Sequence, residues 1–293
     1  MKIAYLIQAH KNWEQLALLV RVLKEDWNEI FIHVDAKAQF EEEEFKKLIP
    51  HIDVQFVHPR IKVYWGHDSQ VHETLLLLQS AFQASEDLTR FILLSGQDLP
   101  IKTNDYIWRF FHNNHHEYME YYKFPVEWWK YGGYDRVQIY NFLALLGPFW
   151  NKVNREIQML LPFRRTPPLG GHLFGGGTWF NLTRGAVKFI LQYVQTTDVL
   201  KEIKYTSGVD EIFFQSILVH NMPHFVDMCK CLDLRYADWQ WHTSHPKTLG
   251  QSDFEKLQHS HRLFARKFDM SFDSEVITSV LQLLNKSEHL ENK

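Results

Sequence analysis

Residues 91–102 read FILLSGQDLPIK, and this stretch narrows the fold more than any other. Residues 91–94 are apolar without a break, so a strand built from them has no polar face to turn to water. Such a strand belongs in a parallel sheet covered by helices on both sides. The run then stops in Ser95, Gly96, Gln97 and Asp98, with Pro100 close behind. A buried strand ending in small polar residues delivers side chains and backbone N–H groups to a ligand at the carboxyl edge of its sheet. The bland alternative is an ordinary turn built on Asp98 and Pro100.

The chain before this point alternates between two periodicities. A first strand is expected at 3–7, and a helix at 13–24, where Trp13, Leu16, Val20 and Leu23 recur at helical spacing behind a capping Asn12. A second strand follows at 29–34, then an acidic helix within 38–50 on a solvated face. Short strands are expected at 54–57 and 63–65, and a leucine-rich helix at 71–82. Strand and helix in alternation build a largely parallel α/β sheet. No GxGxxG follows a strand and no GxxxxGK[ST] occurs, which excludes dinucleotide and P-loop chemistry.

Beyond a helix at 106–111 the character changes. Residues 112–133 are dense in His, Glu, Tyr and Trp, and apolar and aromatic residues continue to Trp150. A basic, proline-rich loop spans 163–168 and a glycine cluster 170–177. This middle third reads as loops and acceptor-binding surface. A strand at 174–183 leads into a helix at 186–194 capped by Thr183, and another helix begins near Ser207 with Asp210 completing an approximate capping box. Strands at 234–241 and 263–268 and a helix at 276–284 complete the expected elements.

Composition bounds the function. The 293 residues, 45% hydrophobic, suffice for one large domain. Aromatics reach 15%, serving as core or as platforms for sugars. A net charge of −3 argues against nucleic acid. Cys229 and Cys231 are too close to build a disulfide scaffold, and the opening KIAYLI is too short for a secretory or membrane segment. A cytoplasmic protein is the expectation.

Several residues carry chemistry or a plainer role. Glu211, near a helix start behind Asp210, is either a general base or part of an acidic pair favouring the helix. Lys267, beside Arg266, either offsets charge on a leaving diphosphate or lies on a solvated face. His33, Asp35 and Lys37 end the second strand, at the ligand edge or in a turn. Trp239 and Trp241 alternate on the expected strand, as a core wall or a sugar platform. His112, His115 and His116 lack the HExxH arrangement, so no metal site is expected.

Taken together, the segments IAYLIQAH, IHVDAK, VYWGHDSQV, LLSGQDLPIKTN, GGTWFNLTR, DEIFFQSIL, LRYADWQW and LFARKFD resemble, in order and over nearly the full length, the Core-2/I-branching enzymes. These are β-1,6-N-acetylglucosaminyltransferases related to peptide O-xylosyltransferases. The resemblance implies a GT-A-like fold in one catalytic domain, 1–293, with a nucleotide-sugar-binding half at 1–110 and an acceptor-binding, catalytic half at 111–293. It implies inverting transfer from a UDP-sugar, GlcNAc favoured, to a glycan hydroxyl. No cofactor or divalent metal is implied, and the sequence has no DxD around Asp98.

By the same resemblance the catalytic base falls on Glu211 and the diphosphate-binding lysine on Lys267. The uridine-contacting segment falls on His33 and Asp35, and Ser95, Gly96 and Asp98 shape the donor pocket. Trp239 and Trp241 line the acceptor site with Glu120, Lys130 and Arg136. The family's second basic diphosphate ligand, an arginine, has no counterpart here, and Lys247 or His245 stands near its place. The family's animal members are disulfide-rich Golgi proteins with an N-terminal anchor. Neither feature is seen here, which points to a bacterial relative in the cytoplasm, with peripheral contact at the inner membrane face and a glycan or glycolipid acceptor. The rivals are a xylosyl- or other glycosyltransferase on the same scaffold, a non-catalytic carbohydrate-binding protein, and a glycosidase. The last lacks an evident second carboxylate.

Overall fold

A computed structural model describes residues 1–240 and 245–291 of the chain, with side chains through residue 285. The strands are β1 (Lys2–Ala9), β2 (Asn28–Val34), β3 (Gln55–Phe56), β4 (Leu88–Ser95), β5 (Asp98–Pro100), β6 (Glu117–Met119), β7 (Tyr122–Lys123), β8 (Phe174–Gly175), β9 (Phe180–Thr183), β10 (Cys229–Lys230), β11 (Arg235–Ala237) and β12 (Phe264–Arg266). Seven of them form the main sheet in the order β10-β6-β9-β4-β1-β2-β3. Only β9 runs against its neighbours; the pairings among β1, β2, β3 and β4 and between β6 and β10 are parallel. The mostly parallel, helix-flanked sheet expected of a GT-A-like chain is present.

Alternation on the central strands divides the core in two. Ile3, Tyr5 and Ile7 of β1 join Ile92 and Leu94 of β4 on one face, beneath the helices Trp13–Leu23 and Ser274–Glu291. Ala4, Leu6, Phe91 and Leu93 point the other way, against the helices Ser69–Ala84, Arg184–Thr196 and Phe213–Asn221. Both faces are apolar because both are covered, which is why residues 91–94 have no polar alternation. Each fully buried Leu or Phe here contributes about 1.5–3 kcal/mol relative to exposure. β5, β11 and β12 form a second, three-stranded sheet whose register sets Asp98 opposite Arg266.

Five local expectations are corrected. Residues 63–65 are not a strand: the Val63 N–H donates to Asp35 Oδ1 at 3.3 Å and the Tyr64 N–H to Ser69 Oγ at 2.9 Å, so side chains take the place of a ladder. The strand expected at 174–183 is two strands, because the Gly176 N–H leaves to donate to the Glu211 carbonyl at 2.9 Å. Asn12 has left-handed backbone (φ 56°) and donates its amide to Asp269 instead of capping. In place of the capping box near Ser207, Gly208 (φ 58°) opens a short 3-10 turn, Val209–Glu211. Finally, only Arg235–Ala237 of the expected 234–241 strand pairs with β12; the Asp238 carbonyl instead accepts from the Lys247 N–H at 2.8 Å. Trp239 is therefore off the strand, and Trp241 lies outside the described residues. The middle third, read as loops, also contains the helical segment Leu143–Leu160.

Candidate active site

A cleft of about 410 Å³ opens at the carboxyl edge of the main sheet. Gln8 and Ala9 of β1, Asp35 and Lys37 after β2, Ser95 at the end of β4 and Gln97 beyond it form one wall. Glu120, Gly177, Thr178, Trp179, Asp210 and Glu211 form the other. Trp65 and Trp239, 73% and 60% exposed, stand at it without burying their rings.

Glu211 is held by geometry rather than by a helix. Its Oε2 accepts from Arg136 Nη1 at 2.5 Å, and the Arg136 guanidinium lies 3.8 Å from the Trp129 ring centre. Glu211 lines the cleft, and its Oε1 accepts no hydrogen bond from any described residue. Gly208 is required beneath this pair: its φ is positive, and a Cβ there would meet Arg136 Nη1 at 2.8 Å. Asp210 is buried beside Glu211, accepting from Thr178 Oγ1 at 2.8 Å and Gln70 Nε2 at 3.4 Å. Burial, then the neighbouring Glu211 charge, pushes its pKa up to about 7.

Glu120 approaches from the end of β6. Burial, then the charge of Asp233, pushes it up to about 7, while the Gly177 N–H favours its ionised form. Gly176 has no room for a side chain, since a Cβ would lie 2.1 Å from the Glu120 carbonyl oxygen. Of the other residues assigned to an acceptor, Arg136 is engaged with Glu211, and exposed Lys130 sits over the Tyr131 ring away from the cleft wall.

On the opposite side, Asp35 lines the cleft and accepts from the Lys37 N–H at 2.9 Å, with Lys37 Nζ 3.4 Å away. His33 is fully buried behind it. Its Nε2 accepts from the Ile61 N–H at 3.1 Å, so the neutral ring carries its proton on Nδ1, 2.8 Å from Glu73 Oε1. Burial raises the Glu73 pKa against that bond.

Ser95 reaches the cleft, but Gly96 and Asp98 do not. Asp98 accepts from the Ser95 N–H at 2.9 Å and faces Arg235 Nε at 3.3 Å and Arg266 Nε at 3.7 Å. Both guanidiniums lie over the Trp179 ring, at 4.6 and 4.3 Å. Asp98 thus anchors Arg266, and Arg266 is the side chain that lines the cleft.

Lys267 is half-buried, and its Nζ bonds to no described residue. Burial, then Lys11 and Arg266, lowers its pKa. His10, on the cleft wall, is also lowered, by burial and then by Lys11, with Lys267 and Lys37 adding to the effect. Lys11, Lys37, Arg266 and Lys267 form a cationic edge at the ends of β1, β2 and β12, of which Lys37 and Arg266 line the cleft and Lys267 does not. Lys247 does not join it: its Nζ donates to both Asp253 carboxylate oxygens at 2.8 Å. His245 does line the cleft.

Sequence reasoning missed Gln70, Thr178, Trp179 and Asp233 as cleft residues, and Arg266 as the one that reaches it. GGTWFNLTR and LFARKFD contained Trp179 and Arg266; only their register in space separates them from their neighbours. Among the described residues, no group of three or more His, Cys, Asp or Glu is placed to hold a metal ion.

The fold and site define an α/β protein whose sheet edge presents cations on one side and carboxylates with exposed indoles on the other. The Core-2/I-branching enzyme profile matches residues 3–260, and the chain belongs to that family of glycosyltransferases. It is 27% identical to rat xylosyltransferase 2 over 94% of this chain and 33% of that protein, so it spans about a third of that relative's length. It is 26% identical to a bovine β-1,3-galactosyl-O-glycosyl-glycoprotein β-1,6-N-acetylglucosaminyltransferase over 99% of this chain and 70% of that one. The crystal structure of mouse xyloside xylosyltransferase 1 aligns over 90% of this chain and 97% of its own at 13% identity, with a TM-score of 0.37.

Proposed function

We propose that the protein is an inverting, metal-independent glycosyltransferase that moves a sugar, GlcNAc favoured, from a UDP-sugar to a hydroxyl of a glycan acceptor. Glu211 is the general base. The observation that carries this reading is the carboxylate of a cleft-lining residue, with one oxygen fixed by Arg136 and the other bonded to no described residue. A fixed carboxylate with a free lone pair is suited to take the acceptor hydroxyl proton as that oxygen attacks the anomeric carbon. The bond from that carbon to the UDP oxygen breaks on the opposite face, which inverts the centre. The negative charge gathering on the diphosphate is met by Arg266 and Lys37 in the cleft, with Lys267 beside Arg266 behind them, which supports a reaction without a divalent ion. Trp65 and Trp239 offer apolar faces to sugar rings, and Glu120 accepts from their hydroxyls.

Glu211→Gln is expected to lower kcat by about 10²–10⁴-fold with UDP-sugar binding retained, measured by transfer assay and calorimetry in EDTA. Unchanged turnover removes Glu211 from the mechanism, and turnover that requires Mn²⁺ removes the metal-independent part. Because similarity extends to xylosyltransferases, UDP-xylose is the rival donor. A panel of UDP-sugars titrated side by side separates the two.

A further inference from the structure

The helical segment Leu143–Leu160 is two stretches that meet at Gly147 (φ 72°), with Pro148 opening the second. Asn151 is the segment's one buried residue among those described. Its side chain donates to Asn141 Oδ1 and accepts from the Phe142 N–H, both at 2.7 Å, while Arg155 reaches Asp135 at 3.2 Å. The segment is tied down by polar contacts.

At 3.6 residues per turn, Phe149, Trp150, Val153, Ile157 and Leu160 fall within an arc of about 100°. Asn151 and Arg155 lie on the opposite side of the helix. The apolar arc points away from the body: Phe149, Trp150 and Leu160 are 69%, 63% and 87% exposed. Leu161 and Phe163, also exposed, extend it beyond the helix end.

The charge around this arc chooses its occupant. Lys152 beside the arc and Arg164 at the helix end stand against Glu156, a net of +1 at the arc in a chain whose total is −3, while Arg155 turns away to Asp135 and Arg165 to Thr206 and the Glu202 carbonyl. Lys152 flanks the arc and bonds to no described residue, while Arg164 folds over the helix end, donating to the Gln158, Met159 and Phe163 carbonyls. A second copy docking face to face would bring the same positive charge against it. An anionic bilayer offers apolar depth and opposite charge at once, and exposed Trp, Phe and Leu beside Lys and Arg are the composition that lies in such an interface. No described helix is long and apolar enough to cross a membrane, so the contact is with one surface.

We propose that the segment Leu143–Leu160 and the loop through Arg164 form a docking surface for an anionic phospholipid bilayer. The test uses the whole purified protein and sedimenting vesicles, either phosphatidylcholine alone or phosphatidylcholine and phosphatidylglycerol in equal parts. The protein is expected to sediment with the mixed vesicles and far less with the neutral ones. Replacing Phe149 and Leu160 together by Ser should weaken binding by roughly ten-fold or more, and Lys152→Glu by a few-fold, with melting temperatures unchanged. No binding to the mixed vesicles overturns the proposal, as does binding that the double substitution leaves intact. A dimer in sedimentation velocity that the double substitution dissociates also overturns it and assigns the face to a second copy. The readout needs neither donor nor acceptor, so it stands or falls apart from the glycosyltransfer reading.

Discussion

Two leucine-rich helical segments of this protein treat their leucines in opposite ways. In Ser69–Ala84, Val71, Leu75, Leu77, Leu78 and Ala81 are buried against β1, β2 and β4. In Leu143–Leu160, Leu145, Leu146 and Leu160 face outward and an asparagine faces in. The difference is one of connection. The first helix joins β3 to β4, parallel strands with β1 and β2 between them, and a crossover between parallel strands must return across the sheet and cover it. The second sits in the long excursion between β7 and β8, a two-stranded ladder off the main sheet, and nothing in that topology forces it inward. Apolar content says that a helix will be covered; the strands it connects say by what.

The comparison can be broken most readily at its largest expected difference. Leu78→Ala should cost about 2–5 kcal/mol in urea unfolding, because the site is fully enclosed. Leu160→Ala in the same assay should stay within about 0.5 kcal/mol. Equal losses would mean that the second helix is not the exposed element described. Asn151→Ala sharpens the contrast: the buried Asn141 amide and the half-buried Phe142 N–H lose their hydrogen bonds, for about 1–3 kcal/mol. Hydrogen exchange should then rise across 143–160 and leave 69–84 protected. A smaller effect lies in pH. The Ser69–Ala84 helix helps hold Asp210 through Gln70, and the Asp210 pKa is raised from 3.8 to about 7. Between those values the folded protein holds a proton that the unfolded chain has lost, so this group makes stability fall as pH rises from about 4 to about 7. Asp210→Asn should flatten part of that slope in thermal melts at pH 5 and pH 8, while Leu160→Ala should leave it as in the parent protein.

The sheet was legible because burial on two faces writes itself as unbroken apolar runs, as in β1 and β4. The turn at Gly208 was not, since Ser207 and Asp210 sit at capping distance in sequence whatever the backbone does between them. The cleft was partly legible: Asp35, Ser95, Glu120, Glu211, Trp239 and His245 line it. His33, Gly96 and Asp98 stand behind its wall, because a strand end shows which edge is near a ligand but not which side chains reach past their neighbours. Lys247 was misplaced for a different reason. Its partner, Asp253, comes from a turn six residues on whose fold no local pattern announces.

Two adjacent glycines brace the main chain behind the carboxylates of the cleft. The Gly176 N–H donates to the Glu211 carbonyl and the Gly177 N–H favours the ionised Glu120, while the Glu120 backbone presses where a Gly176 side chain would be. The main chain at residues 120 and 211 is therefore gauged through its contacts with residue 176. A lineage of such chains has little latitude to adjust that gauge, because any side chain at 176 collides with main chain. The two tryptophans at the mouth carry no such constraint, standing free in solvent. Diversification toward new glycans would then proceed by rewriting the doorway at Trp65 and Trp239 while the ruler inside stays fixed.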